Sequence, residues 1–197
     1  MTTTLFLGLI GFAIASSITP GPNNLMLMAS GANFGLRRTV PHMLGISLGH
    51  MFMVFLVGIG LGQLLDTYPV LKIALLILST GYLLFLAYKI ANAAPPEARE
   101  ATGKPFTFLQ AAAFQWVNPK AWYMAIYAVG NFAPDGSGWR GALLVSGVFA
   151  MTNLPSITVW ATIGTQVKRL LTRPRALRSF NYLMAALLVL TLYPIWA

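Results

Sequence analysis

The stretch SSITPGPNNLMLM, Ser16 to Met28, decides how this chain folds. It lies inside an uncharged run from Thr2 to Leu36, long enough to cross a membrane, yet it holds Pro20, Gly21 and Pro22 and then two amides, Asn23 and Asn24. Proline inside a helix removes a donor and clashes with the carbonyl four residues back, at a cost of about 3 kcal/mol or more. In hydrocarbon the freed backbone groups need partners, so irregular backbone survives only where it is buried in protein or lines a wet cavity. The stretch therefore predicts a discontinuous first helix. Past the break, a new helix N-terminus presents unpaired N–H groups and a partial positive charge, a seat for a carboxylate. Asn23 and Asn24 add amide donors and acceptors there.

The composition agrees with a membrane setting. Of 197 residues, 57% are hydrophobic and 9% charged, with a mean hydropathy of +0.70, against about 25% charge in an average soluble domain. Further uncharged runs extend over 39–65, 73–88, 105–119, 121–134, 141–167 and 179–197. If the two runs flanking Lys120 form one element, six helices result, at about 20 residues per crossing. They are expected near 3–31 with its break, 40–64, 69–91, 106–132, 140–167 and 177–196. Ala13 to Ala15 resembles a signal-peptidase site, but no basic side chain precedes it in Met1 to Phe12, so the segment reads as retained helix.

The net charge of +9 does not point to nucleic acid, because the basic residues form no single patch with interleaved aromatics. Arg37 and Arg38 lie in the first connection, Lys89, Arg99 and Lys104 in the third, and Lys168, Arg169, Arg173, Arg175 and Arg178 in the fifth. Asp66 and Asp135 lie in the second and fourth. Basic loops remain in the cytoplasm, so both termini are expected outside, with the cations facing anionic headgroups of the lipid bilayer. With no cysteine in the chain, disulfides and thiolate metal sites are excluded.

One soluble-looking segment, NAAPPEAREATGKP from Asn92 to Pro105, reads as a cytoplasmic linker. It separates residues 1–91 from 106–197. Three crossings on each side mean that the second triplet is inserted upside down, as in inverted-repeat transporters. Each half opens with a long hydrophobic segment interrupted by proline: TPGPNN in the first and VNPKAW, Val117 to Trp122, in the second. Gly21-Pro22-Asn23 thus pairs with Asn118-Pro119-Lys120.

Lys120 is the formal charge deepest in a predicted span, about 16 residues from Lys104 and 15 from Asp135, too far along a helix for its stem to reach either interface. An ionisable group there marks a candidate site. It could attract a substrate carboxylate, or change protonation during a transport cycle, as buried lysines do. Held by carbonyls freed at Pro119, it would be structural. No Asp or Glu lies inside a span, so proton coupling would fall to Lys120 or a histidine. His50 is well inside the second helix and His42 near its start, and both read first as hydrogen-bonded structural residues. Asn153, in TNLPS beside Pro155, and Gln115, before the second break, are further candidates for the cavity. Gly31 and Gly35, Gly45 and Gly49, and Gly58 and Gly62 have the GxxxG spacing of close helix packing, within a protomer or across a homodimer. The five tryptophans suit interface belts or core.

TPGPNNLMLMASGANFGLRR, then GISLGH, a basic linker and QWVNPKAW, together resemble the LysE/RhtB family of bacterial amino-acid exporters over essentially the whole chain. The resemblance implies export of an amino-acid substrate across the inner membrane, driven by the proton-motive force. Its motifs fall on Pro20, Gly21, Pro22, Asn23 and Asn24, and on Asn118, Pro119 and Lys120. Many relatives carry aspartate where Asn23 stands, which leaves the coupling step open. The expectation is an all-α polytopic membrane protein with a substrate cavity between two broken helices. Neutral or small polar amino acids are favoured, since no membrane carboxylate would hold a cationic side chain. A channel, or an exporter of another small amphipathic metabolite, is the alternative. An enzyme is not expected, as no HExxH or GxSxG element appears, and no cofactor or metal is called for.

Overall fold

The protein, represented by a computed structural model, is described over residues 1–93, 104–134, 136–170 and 174–193. Most of the expected linker lies outside the described residues, as do Asp135, Arg173 and Trp196. Among the described residues the chain is helical, with no strand. The first hydrophobic segment forms α1 (Thr3–Ile18) and α2 (Pro22–Phe34), which meet at 52°. Pro22 takes the first position of α2, where its missing N–H costs nothing.

Gly35 alone joins α2 to α3 (Leu36–Leu56), at φ 80°, a left-handed backbone that favours glycine. Arg37 and Arg38 thus stand on the first turn of α3 instead of in a loop, and Arg38 lies over the Phe34 ring at 5.7 Å. The second helix also departs from its expected end. A π-helical turn (Val57–Leu61) holds Gly60 at φ 125° before the short α4 (Gly62–Thr67). α5 is Pro69–Ala91, as expected.

The fourth segment breaks like the first. α6 (Phe108–Phe114) runs into a 3₁₀ turn (Gln115–Val117), and α7 (Pro119–Phe132) begins after Asn118 leaves the helix at φ −100°, ψ 107°. α8 (Trp139–Leu170) continues through Pro155. Ser47 from α3 donates to the Ala150 carbonyl at 3.4 Å, and Thr152 and Ser156 bond one turn back; such side chains are what let a spanning helix carry proline. α9 (Pro174–Leu190) starts earlier and stops earlier than expected, ending in turns at Thr191 and Leu192.

By length and composition, three helices among the described residues can cross a membrane: Leu36–Leu61, Pro69–Ala91 and Trp139–Val167. Taking α1 and α2 as one bent span makes four. The other two expected spans fall short for identifiable reasons: Asn118 divides α6 from α7, and α9 has only 17 residues.

The break in the first segment lets its halves enter different cores. Leu9 and Ala13 of α1 pack with Met53 and Val54 of α3, Ala125 of α7 and Phe149 of α8. Leu25, Met26 and Ala29 of α2 pack instead with Leu83 and Leu86 of α5, Phe114 of α6, and Met184 and Leu188 of α9. Leu27 joins a third cluster with Ile46, Ile157 and Ala161. A straight helix could not reach all of them.

The glycine seams work inside the protomer. A Cβ on Gly31 would run into the Ala161 carbonyl, and one on Gly164 into that of Met28, so α2 and α8 meet backbone to backbone. Gly45 and Gly49 face Phe108, Ala111 and Ala112 of α6, and Gly58 faces Ala142 of α8. A buried amide pair adds a polar tie. Asn33 donates to Asn181 at 2.9 Å, and Asn181 donates back to Asn33 and to the Ala93 carbonyl, each at 3.3 Å.

Candidate functional site

The break between α1 and α2 frees the last carbonyls of α1, and each finds a donor. The Asn24 amide donates to Ser17 O at 2.8 Å and to Thr19 O at 2.7 Å. Trp160 of α8 donates its indole N–H to Ile18 O at 2.9 Å. The Lys120 ammonium donates to Thr19 O and Thr19 Oγ1, both at 2.8 Å, and to Pro20 O at 3.2 Å. The carbonyls that hold Lys120 are therefore those of the first break, not those freed at Pro119. A cation at the C-terminal end of α1 also suits the helix dipole.

The two half-helix N-termini differ. At α7, the Asn118 side chain accepts from the Lys120 N–H at 3.2 Å and so caps its own helix. At α2, the cap position is Gly21, which has no side chain to do this. The N–H groups of the first turn of α2 consequently remain the better seat for an anion.

Gly21 has extended backbone, φ 177° and ψ 177°, open to any residue. Its need for glycine comes from space, because an added Cβ would lie 2.8 Å from Lys120 Cδ and 3.2 Å from Nζ. Gly21→Ala is expected to push the lysine stem off its seat while leaving the fold intact, raising the KM for transport by about 10-fold for the loss of about 1.4 kcal/mol. Kinetics in proteoliposomes, alongside thermal melting in detergent, would check it.

A second tie joins the two breaks. Asn23 donates to Gln115 Oε1 at 2.9 Å and accepts from Gln115 Nε2 at 3.2 Å, and Gln115 also donates to Ala111 O at 2.9 Å.

These residues surround a narrow pocket with about 20 Å³ of free volume, room for about one water molecule in this conformation. Of the sequence candidates, Gly21, Asn23, Asn24, Gln115, Asn118, Lys120 and Asn153 line it together. Pro20, Pro22 and Pro119 do not; they shape the breaks that form its walls. The pocket also takes in Ser16, Ser17, Met124 and Ile157, which the sequence does not single out, and His50, expected first as a structural residue and otherwise as a carrier of protons. A pair of serines one turn before Pro20 was the available signal. His42 lies elsewhere, edge-on to Phe106 at 5.2 Å, and neither of its ring nitrogens has the hydrogen bond expected for it. Among the described residues no carboxylate lines the pocket, and Lys120 is the charged side chain that does.

The profile of one family, described as LysE type translocator, matches residues 14–191. Proteins named cysteine/O-acetylserine efflux protein are similar over nearly their full length. That of Escherichia coli strain K12 is 29% identical over 96% of both chains. That of Escherichia coli O1:K1 is 30% identical over the same shares. That of Klebsiella pneumoniae is 28% identical over 96% of this chain and 95% of its own. No solved structure gives a significant match.

Proposed function

We propose that this chain, which belongs to the LysE type translocator family, is a secondary carrier of the bacterial inner membrane that exports small neutral or polar amino acids, or close derivatives. Its family makes it a translocator and not an enzyme. The observation that carries the substrate class is the pairing of Lys120 with the uncapped N-terminus of α2 in a pocket that, among the described residues, no carboxylate lines. A zwitterion's carboxylate gains a cation and free backbone donors there. Its ammonium is left to neutral oxygens, and a second positive charge on a side chain would have no partner. The names of the relatives, both of whose stated substrates are small and neutral in this sense, support the same reading.

In this reading residues 1–91 and 106–197 are two inverted triplets joined by a cytoplasmic linker, with six crossings and both termini outside. Two packing features support the repeat. α3 lies on α8 and α5 on α9, and α1 against α8 is matched by α6 against α3. Exchanging the triplets preserves these pairings. Access would alternate by rocking one triplet against the other, driven by the proton-motive force. Gly31, Gly45, Gly49 and Gly58 are covered within the protomer, so a homodimer would have to use another face.

Counterflow in proteoliposomes tests the function. Vesicles preloaded with mixed unlabelled amino acids should transiently concentrate a labelled small neutral one from outside. Flow without transient accumulation would indicate a channel, and accumulation of arginine or lysine in preference to neutral amino acids would overturn the substrate class.

A further inference from the structure

We propose that His50, Ser17 and Asn153 form a second subsite of the pocket, one that receives the hydrogen-bonding side chain of a small neutral amino acid and selects it over an apolar isostere. The inference rests on the carrier reading above and deepens it. The polar side chains around the pocket fall into two sets. Asn23 and Gln115 are bonded to each other, and the Asn24 amide nitrogen and the Lys120 ammonium to the carbonyls of the first break. The second set has no such partners. Both ring nitrogens of His50 and the Ser17 hydroxyl are buried without a hydrogen bond. The Asn153 side chain, 4% exposed, bonds to no other described residue.

A neutral imidazole offers one donor and one acceptor, a hydroxyl offers both, and a carboxamide offers both again. Buried groups of this kind are nearly always paired. These three come from α3, α1 and α8 and border the same pocket. The anion cradle comes from α2 and α7. An α-amino acid seated by its carboxylate in that cradle has its side chain left for the other set. The geometry of the second set is also fixed by packing: the His50 ring stands edge-on to Phe149, with centroids 5.1 Å apart at 83°, and Asn153 follows Phe149 by one turn on the same face of α8. His42, equally without partners, borders no such cradle and is left out of the subsite.

Selection follows from the same bonds. A hydroxyl, thiol or ester carbonyl can pair with this set, whereas a methyl group in its place leaves the set unpaired, a stronger ground for rejection than a purely apolar pocket can supply. Serine and its isostere 2-aminobutyrate make the test, as competing labelled substrates in proteoliposome counterflow. Wild-type protein should favour serine by about 10-fold or more in kcat/KM. His50→Phe, which keeps a ring and removes both polar atoms, should shrink the preference to about 2-fold by slowing serine and sparing 2-aminobutyrate. His50→Gln, which restores a donor and an acceptor, should retain most of it. Ser17→Ala should lower the preference on its own, and serves as the test if His50→Phe does not fold. The proposal is overturned if wild-type protein shows no preference, or if the folded variants leave the ratio unchanged or slow both substrates alike. Failure of folded wild-type protein to exchange any amino acid would overturn the carrier reading itself, and this subsite with it.

Discussion

Lys120→Met should abolish export while the protein remains folded in the membrane. Methionine keeps the stem that packs on Gly21 but removes the ammonium that binds Thr19 O, Thr19 Oγ1 and Pro20 O. The Thr19 carbonyl keeps the Asn24 amide as a donor, so the break loses part of its support without collapsing. What disappears is the pocket's formal charge. Hydrogen bonds to charged groups contribute about 1.5–3 kcal/mol, and losing the upper part of that range against a substrate carboxylate corresponds to about 100-fold in transport efficiency. The measurement is initial-rate counterflow at matched protein content, with size-exclusion profile and thermal melting in detergent as the check on folding. Normal transport by a folded Lys120→Met protein would remove the lysine from the mechanism.

The second large effect concerns the fold. Gly164→Val, or Gly31→Val, should prevent accumulation of folded protein. Each glycine faces the backbone of the opposite helix, the Met28 carbonyl in one case and the Ala161 carbonyl in the other. Backbone cannot rotate aside as a side chain can, so α2 and α8 would have to separate. Overpacking in a close-packed interior costs about 1–3 kcal/mol when side chains can give way, and here they cannot. A gain in helix propensity does not compensate, since valine is itself a poor helix former. Gly81→Ala is the control: nothing lies within 4 Å of its added Cβ, and it should leave the melting temperature unchanged or slightly raised. Folded Gly164→Val protein with a native melting temperature would mean that α2 and α8 are not so closely packed.

The two breaks were legible in the sequence because proline and glycine act locally. Pro20 holds Thr19 extended and Pro22 does the same for Gly21, whatever surrounds them. For that reason removing Pro22 alone should not straighten the segment. Asn118-Pro119 was legible in the same way, and α5 because its ends are marked by Pro69 and by Asn92. The partners across the pocket were not legible. That Lys120 reaches the carbonyls of Thr19 and Pro20, a hundred residues away in sequence, depends on how α7 packs against α1, and no local rule contains that. The same is true of Asn23 with Gln115 and of Trp160 with Ile18. The uneven capping could have been anticipated more fully, since Asn118 has a capping side chain and Gly21 has none. The start of α3 was misplaced because two arginines suggested a loop, while Gly35 alone turns the chain.

The satisfied carbonyls at the first break also bear on the order in which the protein is made. Ile18 O waits for Trp160, and Pro20 O for Lys120, both of which leave the ribosome long after the first three helices. Until then those two carbonyls lack these donors, while Asn24 can already bond the carbonyls of Ser17 and Thr19 from within the same segment. The amino-terminal helices are therefore not a finished unit to which the rest of the chain is later docked. The packing of the first break depends on α7 and α8 for its completion.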